Sequence, residues 1–176
     1  MQTLFKWINR LFMVPAFRLG LGPLMGNPLS GYIMVIESTG RKSGKRRFTP
    51  VNYAILDGVV YCLAGFGGKA HWLLNLRAKP DSHLIIPGRR VPVIACEITD
   101  ASVRLKAARQ VLVNGGFAGF FFGFNPRTAS DERLEKALTG IPVIAFDAGV
   151  QPRAGDPGGY LWLIWPFIIA VIWIMS

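Results

Sequence analysis

Five basic side chains fall within seven residues in the run Arg41-Lys42-Ser43-Gly44-Lys45-Arg46-Arg47. Guanidinium and ammonium groups beside a Ser hydroxyl and an exposed Gly backbone suit phosphate or carboxylate oxygens. A second run, Ala64-Gly65-Phe66-Gly67-Gly68-Lys69, follows an apolar stretch and opens a helical pattern. Backbone N–H groups at such a turn, with the positive end of a helix behind them, also favour an anion. The spacing and the Lys-Ser/Thr pair of a Walker A loop are missing. Each run has a plainer reading: a solvated basic turn for the first and a tight turn for the second.

Two further groups of residues stand out. Trp72 and Asn75 lie three apart on one face of the predicted helix after the Gly-rich run. They read either as ligand contacts or as a core Trp and a capping Asn. His71 beside them is a possible proton donor, whereas His83 has no evident partner and receives no role. Phe117, Phe120, Phe121, Phe122 and Phe124 are interleaved with Gly115, Gly116, Gly119 and Gly123. That segment reads as a mobile apolar lid over a flat substrate or as core packing. No Ser-His-Asp, Cys-His or paired-carboxylate arrangement is visible, so catalysis here would draw on a cofactor.

The chain has 176 residues, 51% of them hydrophobic, enough for one domain with a substantial core. Lys and Arg number 20 against 10 Asp and Glu, a formal charge of +10 that favours an anionic partner. Nucleic acid is disfavoured, because the basic run has no aromatic interleaving and belongs to no nucleic-acid module. Cys62 and Cys96 sit in apolar runs and read as reduced core residues in a cytoplasmic protein; a disulfide framework or zinc site needs more ligands.

The elements that hold these residues follow from periodicity. Leu4, Trp7, Ile8 and Leu11 predict an amphipathic helix within residues 1–16. Arg18 interrupts the apolar run at 11–17 and no small-residue cleavage site follows, so no secretory signal is expected. Strands are predicted at 32–38, 48–56, 59–64, 83–86, 90–98 and 141–146, with Asp57-Gly58 as a hairpin turn. Helices are predicted at 71–78, at 101–113 with Thr99 as N-cap, and from Ser130 to Leu138. Six strands with hairpin connections suit an antiparallel barrel or sandwich with helices outside it, an α+β class. Residues 147–159, rich in Pro and Gly, read as a linker. Residues 160–176 are apolar and uncharged, and predict a membrane helix that ties the protein to the cytoplasmic face of a bilayer. As a helix the tail is about 24 Å long, marginal against a hydrocarbon core of roughly 30 Å. Packing on the barrel or at a dimer contact is the competing reading.

Taken together, three blocks resemble the deazaflavin-dependent nitroreductase family. They are Ser38-Thr39-Gly40-Arg41-Lys42-Ser43-Gly44 continuing through Arg47-Phe48-Thr49-Pro50-Val51-Asn52-Tyr53; Ala64 to Gly68 with Trp72, Asn75-Leu76 and Pro80-Asp81; and Phe122-Gly123-Phe124-Asn125-Pro126-Arg127-Thr128. The resemblance spans residues 17–146 and implies a split β-barrel of the FMN-binding type with surrounding helices. It implies coenzyme F-420, a deazaflavin with a phosphate and a glutamate tail, and FMN stays open as the ligand of related barrels. By the same resemblance Arg41, Lys42, Ser43, Gly44 and Arg47 hold the anionic end. Gly65, Phe66, Gly67, Gly68, Lys69, Trp72 and Asn75 hold more of the cofactor, and Pro50 and Asn52 lie near the ring. The sequence departs from the family pattern at Arg46, where Pro is common, and at Leu73, where an aromatic is common. The expected activity is hydride transfer from reduced F-420 to an apolar acceptor such as a quinone, nitro compound or activated alkene. The alternatives are a non-catalytic deazaflavin or flavin carrier or sensor at the membrane, and a basic membrane-surface protein without cofactor.

Overall fold

The computed structural model describes residues 21–147 and 149–175, together with Pro15 and Leu19. The amphipathic helix expected near the N-terminus lies outside them. Six antiparallel strands close into a barrel: β1 (Ile33–Thr39), β2 (Arg46–Leu56), β3 (Val59–Leu63), β4 (Asp81–Ile86), β5 (Arg89–Glu97) and β6 (Val143–Asp147), in the spatial order β1-β2-β3-β6-β5-β4. Closure leaves no unpaired sheet edge. The turn from β2 to β3 is set by sequence: Asp57 and Gly58 take φ values of 52° and 81°, the paired positive values of a type I′ hairpin.

Alternation along the strands separates two apolar layers. Val51, Tyr53 and Ile55 of β2 face the barrel interior, among Met34, Ile36, Phe146 and the other barrel-core residues. Ala54 and Leu56 face outward and pack with Tyr61 and Ala145. The helix α2 (His71–Ala78; α1 is the short Gly22–Met25) sends Trp72, Leu73 and Leu76 into the barrel core and so closes one end. The helix α3 (Ala101–Asn114) covers the outer layer with Ala107, Ala108, Val111 and Leu112. Its N-cap is Asp100 rather than the expected Thr99: Asp100 is extended and its carboxylate accepts from the Val103 N–H at 2.9 Å. Ser130 caps α4 (Asp131–Ala137) as expected. The Phe-rich segment is not an open loop but a run of 3-10 turns at Gly116–Phe122.

Two expectations change after β6. The Pro/Gly-rich stretch expected as a linker crosses the other end of the barrel. Val150 joins the barrel core, its N–H bonded to the Gly58 carbonyl, and Asp156 is fully buried. Composition signalled flexibility, but a buried carboxylate with three partners fixes this stretch. The apolar tail begins with 3-10 turns at Leu161–Leu163, which shortens the helix α5 to Ile164–Met175. Twelve residues span about 18 Å. Among the described residues no helix is long and apolar enough to cross a membrane.

Candidate functional site

Asn75 positions the basic loop. It is buried on α2, and its side-chain oxygen accepts from the Arg41 backbone N–H at 3.2 Å and from the Arg41 guanidinium at 3.1 Å. The same guanidinium reaches the His71 carbonyl at 3.4 Å. Arg41 is therefore a strut between the loop and the helix. The loop is also closed on itself, with the Gly44 N–H on the Gly40 carbonyl at 2.7 Å and the Gly40 N–H on the Lys45 carbonyl at 2.9 Å. Arg47 donates to the Ser43 hydroxyl at 3.3 Å. Lys42 and Lys45 are exposed, and their ammonium groups have no hydrogen-bond or ion-pair partner among the described residues.

The Gly-rich run lies at the start of the same helix. The Gly67 N–H bonds to the Ala64 carbonyl at 2.6 Å, forming a tight turn that leaves Phe66 exposed and the space beside Gly65 open. Arg77 donates to the Gly68 carbonyl at 3.1 Å and doubly to Glu97 at 2.6 and 2.9 Å, tying this turn to β5. Sequence reading missed Arg77, whose signal was only a basic residue in the last turn of a helix. The structure thus brings both expected anion loops onto α2. It moves Trp72 into the barrel core and commits the Asn75 oxygen to Arg41, so these two support the loops from beneath.

A strip of β2 leads away from the basic loop. Phe48, Pro50 and Asn52 share the outward parity of Ala54, opposite Glu37, Val35 and Ile33 of β1. The seven residues of β1 make the strip roughly 20 Å long. At its far end Asn52 donates to the Tyr32 carbonyl at 3.0 Å, and the Tyr32 N–H bonds to the Asn114 carbonyl at 2.8 Å. The Phe-rich segment starts there, with the Phe117 N–H on the Leu29 carbonyl at 2.9 Å. This approach requires glycine: Gly116 has φ 57°, and a Cβ on it would run into the Leu29 carbonyl.

The five Phe residues divide. Phe117 and Phe120 are 57% and 54% exposed. Phe122 and Phe124 turn into the outer apolar layer between α3 and α4, with ring centroids 6.4 Å apart and Arg133 over Phe124 at 5.7 Å. They are packing residues rather than parts of an open lid, because the turn at Gly123 (φ 79°) directs the chain back towards α4. The Phe121 side chain lies outside what the structure describes.

A groove of about 510 Å³ lies on the neighbouring face, across β1, β4 and β5, and none of the residues expected to bind cofactor lines it. Its centre is Glu37, buried and paired with Arg46 at 3.2 Å and Arg90 at 2.8 Å. The lining carries three Lys and Arg and as many carboxylates, and two of its three cations are engaged by Glu37, so the groove has no excess of positive charge for an anion. The Arg90 hydrogen bond holds the Glu37 carboxyl below the usual carboxylate range, against the effect of burial. A depressed folded-state pKa stabilises the fold above the ordinary carboxylate range, and that contribution disappears as pH falls through the lowered value. Glu37→Gln is therefore expected to lower the urea midpoint at neutral pH and to leave a shallower acid limb below about pH 4. Equal acid limbs in the two proteins would contradict the pairing.

A family model described as F420H(2)-dependent quinone reductase matches residues 14–118, which include both loops, the β2 strip and the start of the Phe-rich segment. The chain belongs to that family. It is accordingly an oxidoreductase that uses coenzyme F-420. Among solved structures, a conserved hypothetical protein of Mycobacterium tuberculosis is similar at 12% identity and a TM-score of 0.51, over 74% of this chain and 79% of that one. That likeness shows the shared barrel fold. An F420-H2 dependent reductase is similar at 20% identity and a TM-score of 0.42, over 65% of this chain and 92% of that one. The General Stress Protein 26 of Bacillus anthracis matches at 12% identity and a TM-score of 0.43, over 74% and 89%. No match was found among curated proteins. The family's cofactor fits what is present: two ammonium groups without a partner among the described residues and a loop held from below stand at one end of the elongated β2 strip of Phe48, Pro50 and Asn52.

Proposed function

We propose that this protein passes a hydride from reduced coenzyme F-420 to a flat, apolar, electron-poor acceptor: a quinone, a nitro compound or an activated alkene. The observation that carries this reading is the placement of the β1–β2 strip, with the cationic loop at one end and the exposed Phe117 and Phe120 of the Phe-rich turns at the other. When bound, the reduced deazaflavin supplies the hydride. Lys42, Lys45 and Arg47 bind the anionic end, with Ser43 and the backbone at Gly44 beside them. The turn from Gly65 through Gly67 and Gly68 to Lys69 contributes further N–H groups. Pro50 and Asn52 offer a flat surface for the ring, and Phe117 and Phe120 hold the acceptor and keep water away. None of these last four side chains is an acid or a base, so the proton that completes reduction comes from water or from the cofactor. The exposed apolar tail holds the protein at the cytoplasmic face of the cell membrane.

Fluorescence titration of the purified chain with coenzyme F-420 and, in parallel, with FMN tests the cofactor, and binding of F-420 well above FMN is expected. Anaerobic mixing with reduced F-420 and a short-chain quinone tests the reaction. Phe120→Ala is expected to lower kcat/KM for the quinone by roughly tenfold, about the contribution of one aromatic contact, with cofactor affinity nearly unchanged. Tight F-420 binding without turnover on any acceptor class would make the protein a carrier or sensor instead.

A further inference from the structure

The helix α5 is exposed along its whole length, has no charged residue, and is apolar on every side. A helix that packs on one partner shows one apolar stripe, whereas a helix apolar all round needs an apolar medium all round. A second copy of the chain would cover one side only. The base of α5 is fixed: the Trp165 indole N–H donates to the Leu24 carbonyl of α1 at 2.7 Å. Residues 21–30 also lack any charge, and they expose Leu21, Leu24 and Leu29, the last at 79%. Leu29 in turn accepts from the Phe117 N–H, and Phe117 and Phe120 are exposed beyond it. The Trp165 indole bond to α1, the chain from α1 to Leu29 and the Phe117 backbone bond therefore join α5, α1, Leu29 and the Phe-rich turns into one uncharged apolar surface. It lies at the Asn52 end of the β2 strip, a strand's length from the basic loop.

We infer that this surface is a lipid-docking face that sinks into one leaflet and opens the acceptor end of the site to the hydrocarbon. The acceptor half of the inference rests on the proposed oxidoreductase reading; the docking half deepens the proposed membrane attachment by naming the surface that carries it. Insertion is driven by apolar burial, not by charge, because the cationic loop stands at the opposite end of the strip. Docking therefore needs no anionic lipid, and the basic loop stays free for its own ligand. An acceptor dissolved in the leaflet reaches Phe117 and Phe120 without passing through water.

The full chain is mixed with neutral phosphatidylcholine vesicles and followed by flotation and hydrogen exchange. The expected result is flotation that persists in high salt. Amides at 27–31, 116–122 and 161–175 slow together by several-fold, and those at 40–47 are unchanged. The double variant Ile169→Glu/Ile172→Glu, remote from the strip, is expected to lose flotation. Its turnover should fall at least tenfold with a long-chain quinone carried in the vesicles and stay at the wild-type rate with a short-chain quinone in solution. Protection of 161–175 alone would overturn the continuous face and leave a simple tether. Protection of all three segments in a vesicle-free dimer, seen by sedimentation, would overturn the lipid and assign the surface to a second copy. Flotation with full protection but no oxidation of reduced cofactor by either quinone would uphold the docking face and sink the oxidoreductase reading.

Discussion

The double variant Lys42→Ala/Arg47→Ala is expected to bind coenzyme F-420 roughly a hundredfold more weakly than the wild type, from two lost contacts at the low end of about 1.5–3 kcal/mol each. The low end applies because both side chains are exposed in the free protein, where water and salt screen the attraction. Arg47 adds only an exposed 3.3 Å bond to Ser43, and the loop is tied mainly by Arg41 to Asn75 and by its own backbone bonds between Gly40, Gly44 and Lys45. The variant should therefore keep the wild-type urea midpoint, and the loss should appear in the fluorescence titration alone. Arg41→Ala is the informative contrast. It removes a strut as well as a charge, leaves the buried Asn75 oxygen with only the Arg41 backbone N–H, and should lower stability and affinity together. Affinity of the wild type should also fall as salt rises, with a weaker salt dependence in the double variant. Wild-type affinity in the double variant would move the anionic end of the cofactor away from this loop.

What the sequence made legible was local. Charge density marked the 41–47 run, glycine spacing marked the 65–68 turn, and apolar alternation with Asp57-Gly58 marked the hairpin. All six strands fall within two residues of their expected positions, because side chains that alternate between a closed interior and an outer helix layer leave a period of two. Pairings across long separations left no such trace. Asn75 holds Arg41 from 34 residues away, and Tyr53 meets Asp156 from 103 residues away. Side-chain direction in the Phe-rich segment was equally hidden, since 3-10 turns and a positive-φ Gly123 replace the helical or strand period that would have separated Phe122 and Phe124 from Phe117 and Phe120. Hydropathy found the apolar tail but not its break at Leu161–Leu163, which shortens the helix.

Asp156→Ala is expected to cost the largest share of stability of any single change at the barrel end crossed by residues 149–159. The carboxylate is fully buried, accepting from the Tyr53 hydroxyl at 2.8 Å, the Arg89 guanidinium at 2.7 Å and the Arg153 backbone N–H at 2.9 Å. Arg89 is itself mostly buried, its side chain 13% exposed. Removing one member of a buried pair leaves the other charge without compensation, at a cost of about 3–5 kcal/mol. Tyr53→Phe removes one donor and keeps the ion pair, so it should cost less, about 1–3 kcal/mol. Burial, with Asp156 beside it, pushes the Tyr53 hydroxyl well above the ordinary phenol range, so it stays protonated and donates throughout the physiological pH range. The two variants are ranked by urea denaturation. A second readout concerns residues 149–159, which the Asp156 carboxylate pins to the barrel and which lead through the turns at Leu161–Leu163 into α5. Loss of that pin should free the segment, so trypsin should cleave Asp156→Ala after Arg153 well before any site in the barrel, and detach the apolar tail from the domain. A free linker of the kind its composition suggests would give wild-type stability and wild-type cleavage in this variant, and either result would contradict the buried clasp.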